Sequence, residues 1–242
     1  MATPDRVPWR DVAELFAKEH RQGQHVGVVG PNGTGKSVLL IELAKLRASR
    51  RVKDGNPSRV TYLAAKPSDK TLDGLGWPII KKWPPGYGQW HVIVWPPYGD
   101  PETVVDRHRR VFSSLLRQIF KEGKQTVVID EVGYLSSRAR DEGLNLGGII
   151  DKYLTVGRSH ELALFGGTQR PRNVPRSFWS EPKWFGIFRF EDWDDARRVA
   201  EIGGKRDGFL QLITDELDDF EFLFVRRVGA ARRELLISKV DL

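Results

Sequence analysis

The eight residues Gly30-Pro31-Asn32-Gly33-Thr34-Gly35-Lys36-Ser37 restrict the fold of this chain more than any other feature. They lie between an apolar, β-branched run at 24–29 and a helical pattern at 38–45, which gives the order strand, glycine loop, helix. A loop without side-chain bulk lets consecutive backbone N–H groups face a phosphate chain, and the helix that follows adds its positive amino end. In that geometry Lys36 reaches the β- and γ-phosphates of a nucleotide such as ATP, and the Ser37 hydroxyl ligates Mg²⁺. Composition alone produces this Walker A spacing in about 1% of chains of such size. A bare turn between strand and helix has no need of Lys-Ser at those two positions.

Strand and helix signals alternate beyond the loop. Runs at 59–65, 90–95, 126–129, 161–166 and 184–190 read as strands, and 103–121 and 146–159 as helices, while 67–88 and 133–145 read as long loops. The expected class is therefore α/β, with a mostly parallel central sheet flanked by helices. Residues 1–23 form a lead with one helix, in which Trp9, Val12, Leu15 and Phe16 fall at helical spacing and Gly23 stops the run. The nucleotide-binding core is expected over 24–191. An extension over 192–242 begins with a helix at 192–202 and ends in a β-hairpin that pairs 221–227 with 234–239.

Hydrolysis also needs an acid near Mg²⁺ and a group that activates water. The run Thr126-Val127-Val128-Ile129 ends in Asp130-Glu131 and supplies both, with Asp130 holding the metal through water and Glu131 polarising the attacking water. This pair favours an ATPase over a small-molecule kinase, for which no acceptor site or lid motif is present. A third buried run, 162–167, ends in Thr168-Gln169-Arg170-Pro171.

A Walker A loop, a strand ending in Asp-Glu and a later strand ending in Thr-Gln-Arg-Pro together resemble the HerA/FtsK superfamily of DNA-translocating P-loop ATPases. The resemblance covers about residues 24–175. It implies a RecA-like sheet of the additional-strand class and a role for Gln169 as γ-phosphate sensor between the two Walker strands. It also implies a homo-oligomeric ring, usually a hexamer, in which a neighbouring subunit contributes an arginine finger. Arg158, just before the sensor strand, is the first finger candidate, with Arg170 and Arg172 behind it. Larger family members carry membrane segments, a DNA-reading winged helix or an N-terminal barrel, for which 242 residues leave no room. The chain thus looks most like the compact genome-packaging ATPases of viruses and phages, which implies double-stranded DNA as partner and a capsid portal or vertex protein as dock.

Charge and composition agree with that reading. Lys and Arg total 39 against 32 Asp and Glu, a net charge of +7 that favours a polyanionic partner. Most basic clusters, including that of Arg47, Arg50 and Arg51, read as solvated faces. The loop after Glu131 differs, because Arg138 and Arg140 leave the ATP site directly and could meet a phosphate backbone in a sequence-independent, salt-sensitive way. Lys66 and Lys70 are further candidates for a DNA-lined pore. The eight Trp residues are expected to serve local packing. With no cysteine and five scattered His, neither a disulfide framework nor a metal cluster is expected. No apolar run approaches the 18 to 20 residues of a membrane span, so no membrane insertion is expected, and the expected location is cytoplasmic or capsid-associated. Two other function classes fit the motifs: a nucleotide-dependent switch module, and a conjugation or secretion ATPase that moves single-stranded DNA or protein.

Overall fold

The computed structural model describes residues 4–52, 55–138, 143–203, 208–229 and 232–241. Its strands, in chain order, are β1 (Asp5–Arg6), β2 (Val26–Val29), β3 (Arg59–Leu63), β4 (Ile79–Ile80), β5 (His91–Val94), β6 (Gln125–Ile129), β7 (Ala163–Thr168), β8 (Trp184–Phe188), β9 (Glu221–Val228) and β10 (Arg232–Lys239). They form one sheet in the spatial order β1-β10-β9-β8-β2-β7-β6-β3-β5-β4. From β8 to β4 every pairing is parallel. β9 runs antiparallel to both β8 and β10, so the C-terminal hairpin continues the sheet.

The α-helices are α1 (Trp9–Glu19), α2 (Lys36–Ala48), α3 (Pro101–Glu122), α4 (Val132–Ser136), α5 (Gly147–Val156), α6 (Ser177–Ser180), α7 (Trp193–Ala200) and α8 (Phe209–Gln211). They cover both faces of the sheet, which is why the parallel strands read as unbroken apolar runs. Period-two alternation divides the core: Val127 and Ile129 pack with Phe112 and Leu116 of α3 and Tyr153 of α5. Val128 faces the other way, with Leu39 and Leu43 of α2 and Phe16 of α1. Among the described residues no helix is long and apolar enough to cross a membrane.

Four local expectations change. The stretch 67–88 contains β4, whose two residues pair with Ile93 and Val94 but are too few to show an alternating pattern. The stretch 133–145 opens with α4, a five-residue helix whose amino end is capped by the Glu131 side chain accepting from Gly133 N–H at 3.0 Å. β7 runs on to Thr168 through Gly166 and Gly167, residues of low strand propensity that are there for space. A Cβ at Gly167 would stand 2.4 Å from the Asp130 carbonyl oxygen.

Arg47, expected on a solvated face, is buried where the end of α2 meets the residues after α1, and its guanidinium donates to Gln22. Burial, with a smaller contribution from Arg50, lowers its pKa to about 10. His20 is buried beside it, stacked on Phe16 at 4.5 Å between ring centroids.

Candidate nucleotide site

Parallel strands bring their carboxyl ends to one edge, and β7 lies between β2 and β6. That order sets Gln169, which follows β7, between the glycine loop after β2 and the Asp130-Glu131 pair after β6. The interposed strand is the additional strand that the family resemblance implies.

The loop has the backbone its glycines allow. Gly33 and Gly35 adopt φ of 77° and 102°, the left-handed region in which other side chains are strained. The loop is closed by Thr34 Oγ1 donating to the Pro31 carbonyl at 2.9 Å, and Lys36 Nζ donates to the same carbonyl at 2.5 Å. Burial lowers the pKa of the Lys36 ammonium, and the negative charges of Asp130 and Glu131 oppose the shift. α2 starts at Lys36, so its unpaired amino-terminal N–H groups lie at the loop.

The two acids have different surroundings. Asp130 Oδ1 accepts from Ser37 Oγ at 2.8 Å, while Oδ2 pairs with the Lys66 ammonium. Lys66 also reaches Asp69 at 3.5 Å. Burial works against the Lys66 charge, but Asp130 and Asp69 together outweigh it and raise its pKa. Glu131 is held by three donors: Gly133 N–H and Thr168 Oγ1 on Oε1, and Gln169 N–H on Oε2, each at 3.0 Å. Burial raises its pKa, and these three hydrogen bonds pull it partly back. The outcome is an oriented carboxylate that binds a proton more readily than an exposed one.

A cleft of about 320 Å³ lies over the loop. Asn32, Lys36, Ser37, Lys66, Asp130 and Gln169 line one part of it, and Phe188, Phe220 and Val240 another. The Ser37 hydroxyl and the Asp130 carboxylate form a hard oxygen donor pair of the kind Mg²⁺ takes. Among the described residues no group of three or more His, Cys, Asp or Glu side chains could hold a metal. A cation here would draw its remaining ligands from phosphate and water, as Mg²⁺ does beside nucleotides.

None of the remaining sequence candidates among the described residues lines this cleft. Arg158 is exposed in a turn at the amino end of β7, the edge opposite the glycine loop. Arg170 is exposed beside Gln169, and Arg172 pairs with Asp194 at 2.6 Å. Lys70 is exposed at the start of the 3₁₀ turn Lys70–Leu75. Arg138 is exposed beyond α4, and Arg140 lies outside the described residues. Sequence reasoning missed Thr168 as a Glu131 donor, although it directly precedes Gln169. It also missed the Lys66 contact with Asp130 and the apolar wall, which come from strands far apart in the chain.

No family model matches this chain, and no curated protein matches it in sequence. Its likeness is to solved structures. The DNA-packaging ATPase B204 of Sulfolobus turreted icosahedral virus superposes with a TM-score of 0.61 at 14% identity, over 89% of this chain and 98% of that one. This chain has the fold of a P-loop ATPase. The genome-packaging NTPase B204 of Sulfolobus turreted icosahedral virus 2, in complex with ATP-γS, superposes with a TM-score of 0.56 at 16% identity, over 88% and 95% of the two chains. The pCW3 conjugation coupling protein TcpA gives 0.54 at 16% identity, with 89% of this chain matched to 59% of that one.

Proposed function

We propose that this chain is an ATPase that drives double-stranded DNA, as a homo-oligomeric ring, into a viral capsid. The observation that carries the reading is the Glu131 carboxylate held by Thr168 and by the Gln169 backbone, one residue from the Asp130 that meets Ser37. A structural glycine turn needs no such arrangement, whereas hydrolysis needs an oriented base next to a metal acid. Lys36 binds the β- and γ-phosphates, Ser37 and Asp130 are the residues that would hold Mg²⁺, and Glu131 orients a water and takes its proton. Bound Mg²⁺ would offset charge on the transferred phosphoryl group.

Coupling to DNA follows from what Glu131 touches. It caps α4, which leads to Ser137 and Arg138, and it holds Gln169, which leads to Arg170 and Pro171. Loss of the γ-phosphate at Gln169 therefore pulls on two segments that carry exposed arginines. Arg138 and Arg140, with Lys70, contact the DNA backbone, whereas Lys66, expected at the same pore, is instead engaged by Asp130 in the cleft; Arg158 serves as the finger for the neighbouring subunit's site. Likeness to two viral packaging NTPases of nearly the same length supports the packaging role and a capsid portal or vertex protein as the dock. Cytoplasmic work at a capsid suits that role.

Likeness to a conjugation coupling protein favours a second reading, movement of single-stranded DNA or protein. Steady-state ATPase without nucleic acid, with single strands and with duplex, at low and moderate salt, separates the two. Stimulation by duplex of arbitrary sequence is expected. Stimulation by single strands alone supports the second reading, and turnover indifferent to nucleic acid refutes movement of DNA of either kind and leaves movement of protein or a nucleotide switch.

A further inference from the structure

The cleft over the glycine loop has two unlike ends, and strand order is the cause. On the β6–β7 side it is charged and polar, with Lys66, Asp130 and Gln169, and on the β8–β10 side its walls are Phe188, Phe220 and Val240. Phe188 ends β8, Phe220 directly precedes β9 and Val240 directly follows β10. The registers Phe188↔Phe222 and Lys239↔Glu221 bring these three chain points to the same edge of the sheet. Neighbouring strands are spaced by about 4.8 Å. The apolar wall therefore extends one to three strands from the glycine loop, on the side away from the acids.

Phe220 has two unusual properties. Its φ is 64°, a true outlier for a bulky side chain, and it is 49% exposed although its neighbours Phe188 and Phe222 are buried. Strain of this kind persists where surrounding contacts over-determine it, and it gathers at ligand clamps. The Lys239 ammonium stands 5.2 Å from the centre of its ring. A Cβ on Gly35 would come within 3.5 Å of Phe188 and 3.8 Å of Phe220, so both rings flank the phosphate loop.

We propose that Phe220, with Phe188 and Val240, is the base-stacking wall of the nucleotide site, and that this wall recognises ring area and not base identity. The proposal rests on the nucleotide reading of the cleft. A nucleoside triphosphate is charged at one end and flat and weakly polar at the other, and the two ends of the cleft match it in that order. None of the three wall side chains carries a hydrogen-bond donor or acceptor, so the wall has nothing to read a Watson–Crick edge. Stacking on an aromatic face is tolerant of base type. The C-terminal hairpin is thereby part of the substrate site.

The test is equilibrium binding of ATP, GTP and inorganic tripolyphosphate to the full chain and its variants. Phe220→Ala is expected to lose about tenfold in affinity for both ATP and GTP and to keep its affinity for tripolyphosphate, which has no base. Phe220→Tyr should restore both nucleotides, and Phe220→Leu, which keeps apolar bulk without a ring, gives the same comparison if Ala disturbs the hairpin. Unchanged ATP affinity in Phe220→Ala and Phe220→Leu overturns the stacking role. A preference of the native protein for ATP over GTP above about 50-fold overturns recognition by ring area alone. Failure of the nucleotide reading itself looks different: the native protein then binds neither ATP nor tripolyphosphate, and the stacking wall falls with it.

Discussion

The Ser37 hydroxyl donates to Asp130 across 2.8 Å although 93 residues separate the two in the chain. The contact joins the first turn of α2 to the carboxyl end of β6 past the end of an intervening strand. Each partner is set by a different element, so a one-residue slip in either would separate them. This bond makes a shared site out of two motifs.

If the motif roles hold, Lys36→Ala abolishes nucleotide binding or nearly so. Glu131→Gln retains binding and loses about 10²- to 10⁴-fold in turnover, the usual worth of a positioned base. Titration with ATP and single-turnover hydrolysis separate the two effects. Hydrolysis near the native rate in the Glu131 variant would remove it from the chemistry.

The pKa of Glu131 is raised by burial and held back by its hydrogen bonds, among them that from Thr168. A base fails as pH falls through its pKa, so the acid limb of kcat/KM, which reports the free enzyme, is expected above the ordinary glutamate range. Thr168→Val removes a donor that favours the ionised form and moves that limb to higher pH. A pH–rate profile unchanged by this substitution would refute the base assignment.

Burial lowers the pKa of His20 to about 3 and that of His25 to about 4. His25 Nδ1 also accepts from Leu164 N–H at 2.9 Å, a bond available only to the neutral ring. For a base depressed in the fold, stability is complete above the unfolded pKa near 6.5 and is lost as pH falls toward the folded value. Each histidine should then cost about 1.4 kcal/mol per pH unit below that point. Urea midpoints from pH 7 to 4 measure the slope, to which His91 and His108, also lowered by burial, add, and His20→Phe should reduce it by about 1.4 kcal/mol per pH unit.

Gly167→Ala sets a Cβ 2.4 Å from the Asp130 carbonyl oxygen and 2.8 Å from Leu40, and the backbone contact cannot yield cheaply. A loss of about 1–3 kcal/mol is expected, together with reduced turnover, because Asp130 must shift. Gly148→Ala has nothing within 4 Å of its added methyl and should leave both unchanged or slightly raise Tm. Thermal unfolding and ATPase rates on the pair give the comparison.

Replacing Arg138 and Arg140 together by Ala should weaken duplex stimulation at moderate salt while nucleotide affinity stays native. Each lost phosphate contact reduces the salt slope of DNA binding by about one. An unchanged slope would move the DNA contact to another face.

The glycine loop, the acidic strand end and the alternation of strand and helix were all legible in the chain, because each is a local pattern that backbone geometry enforces within about ten residues. Short elements were not: β4 has two residues and α4 five, too few for either period to show. The burial of Arg47 escaped notice for another reason, since an arginine at a helix end reads as solvated until the packing of α1 against α2 encloses it.

Sequence by itself determined what could bind phosphate and which strand ends in carboxylates, since glycine conformational freedom and the type of side chain belong to the residues. Tertiary structure decided which strands are neighbours, of which family resemblance had implied only the strand between the two Walker strands. That order interposes β7 between β2 and β6, sets Lys66 against Asp130 and brings Phe220 from the far end of the chain to the phosphate loop. Strand adjacency is a long-range property, fixed by the burial of whole faces against α1, α2, α3 and α5, and no window of sequence contains it.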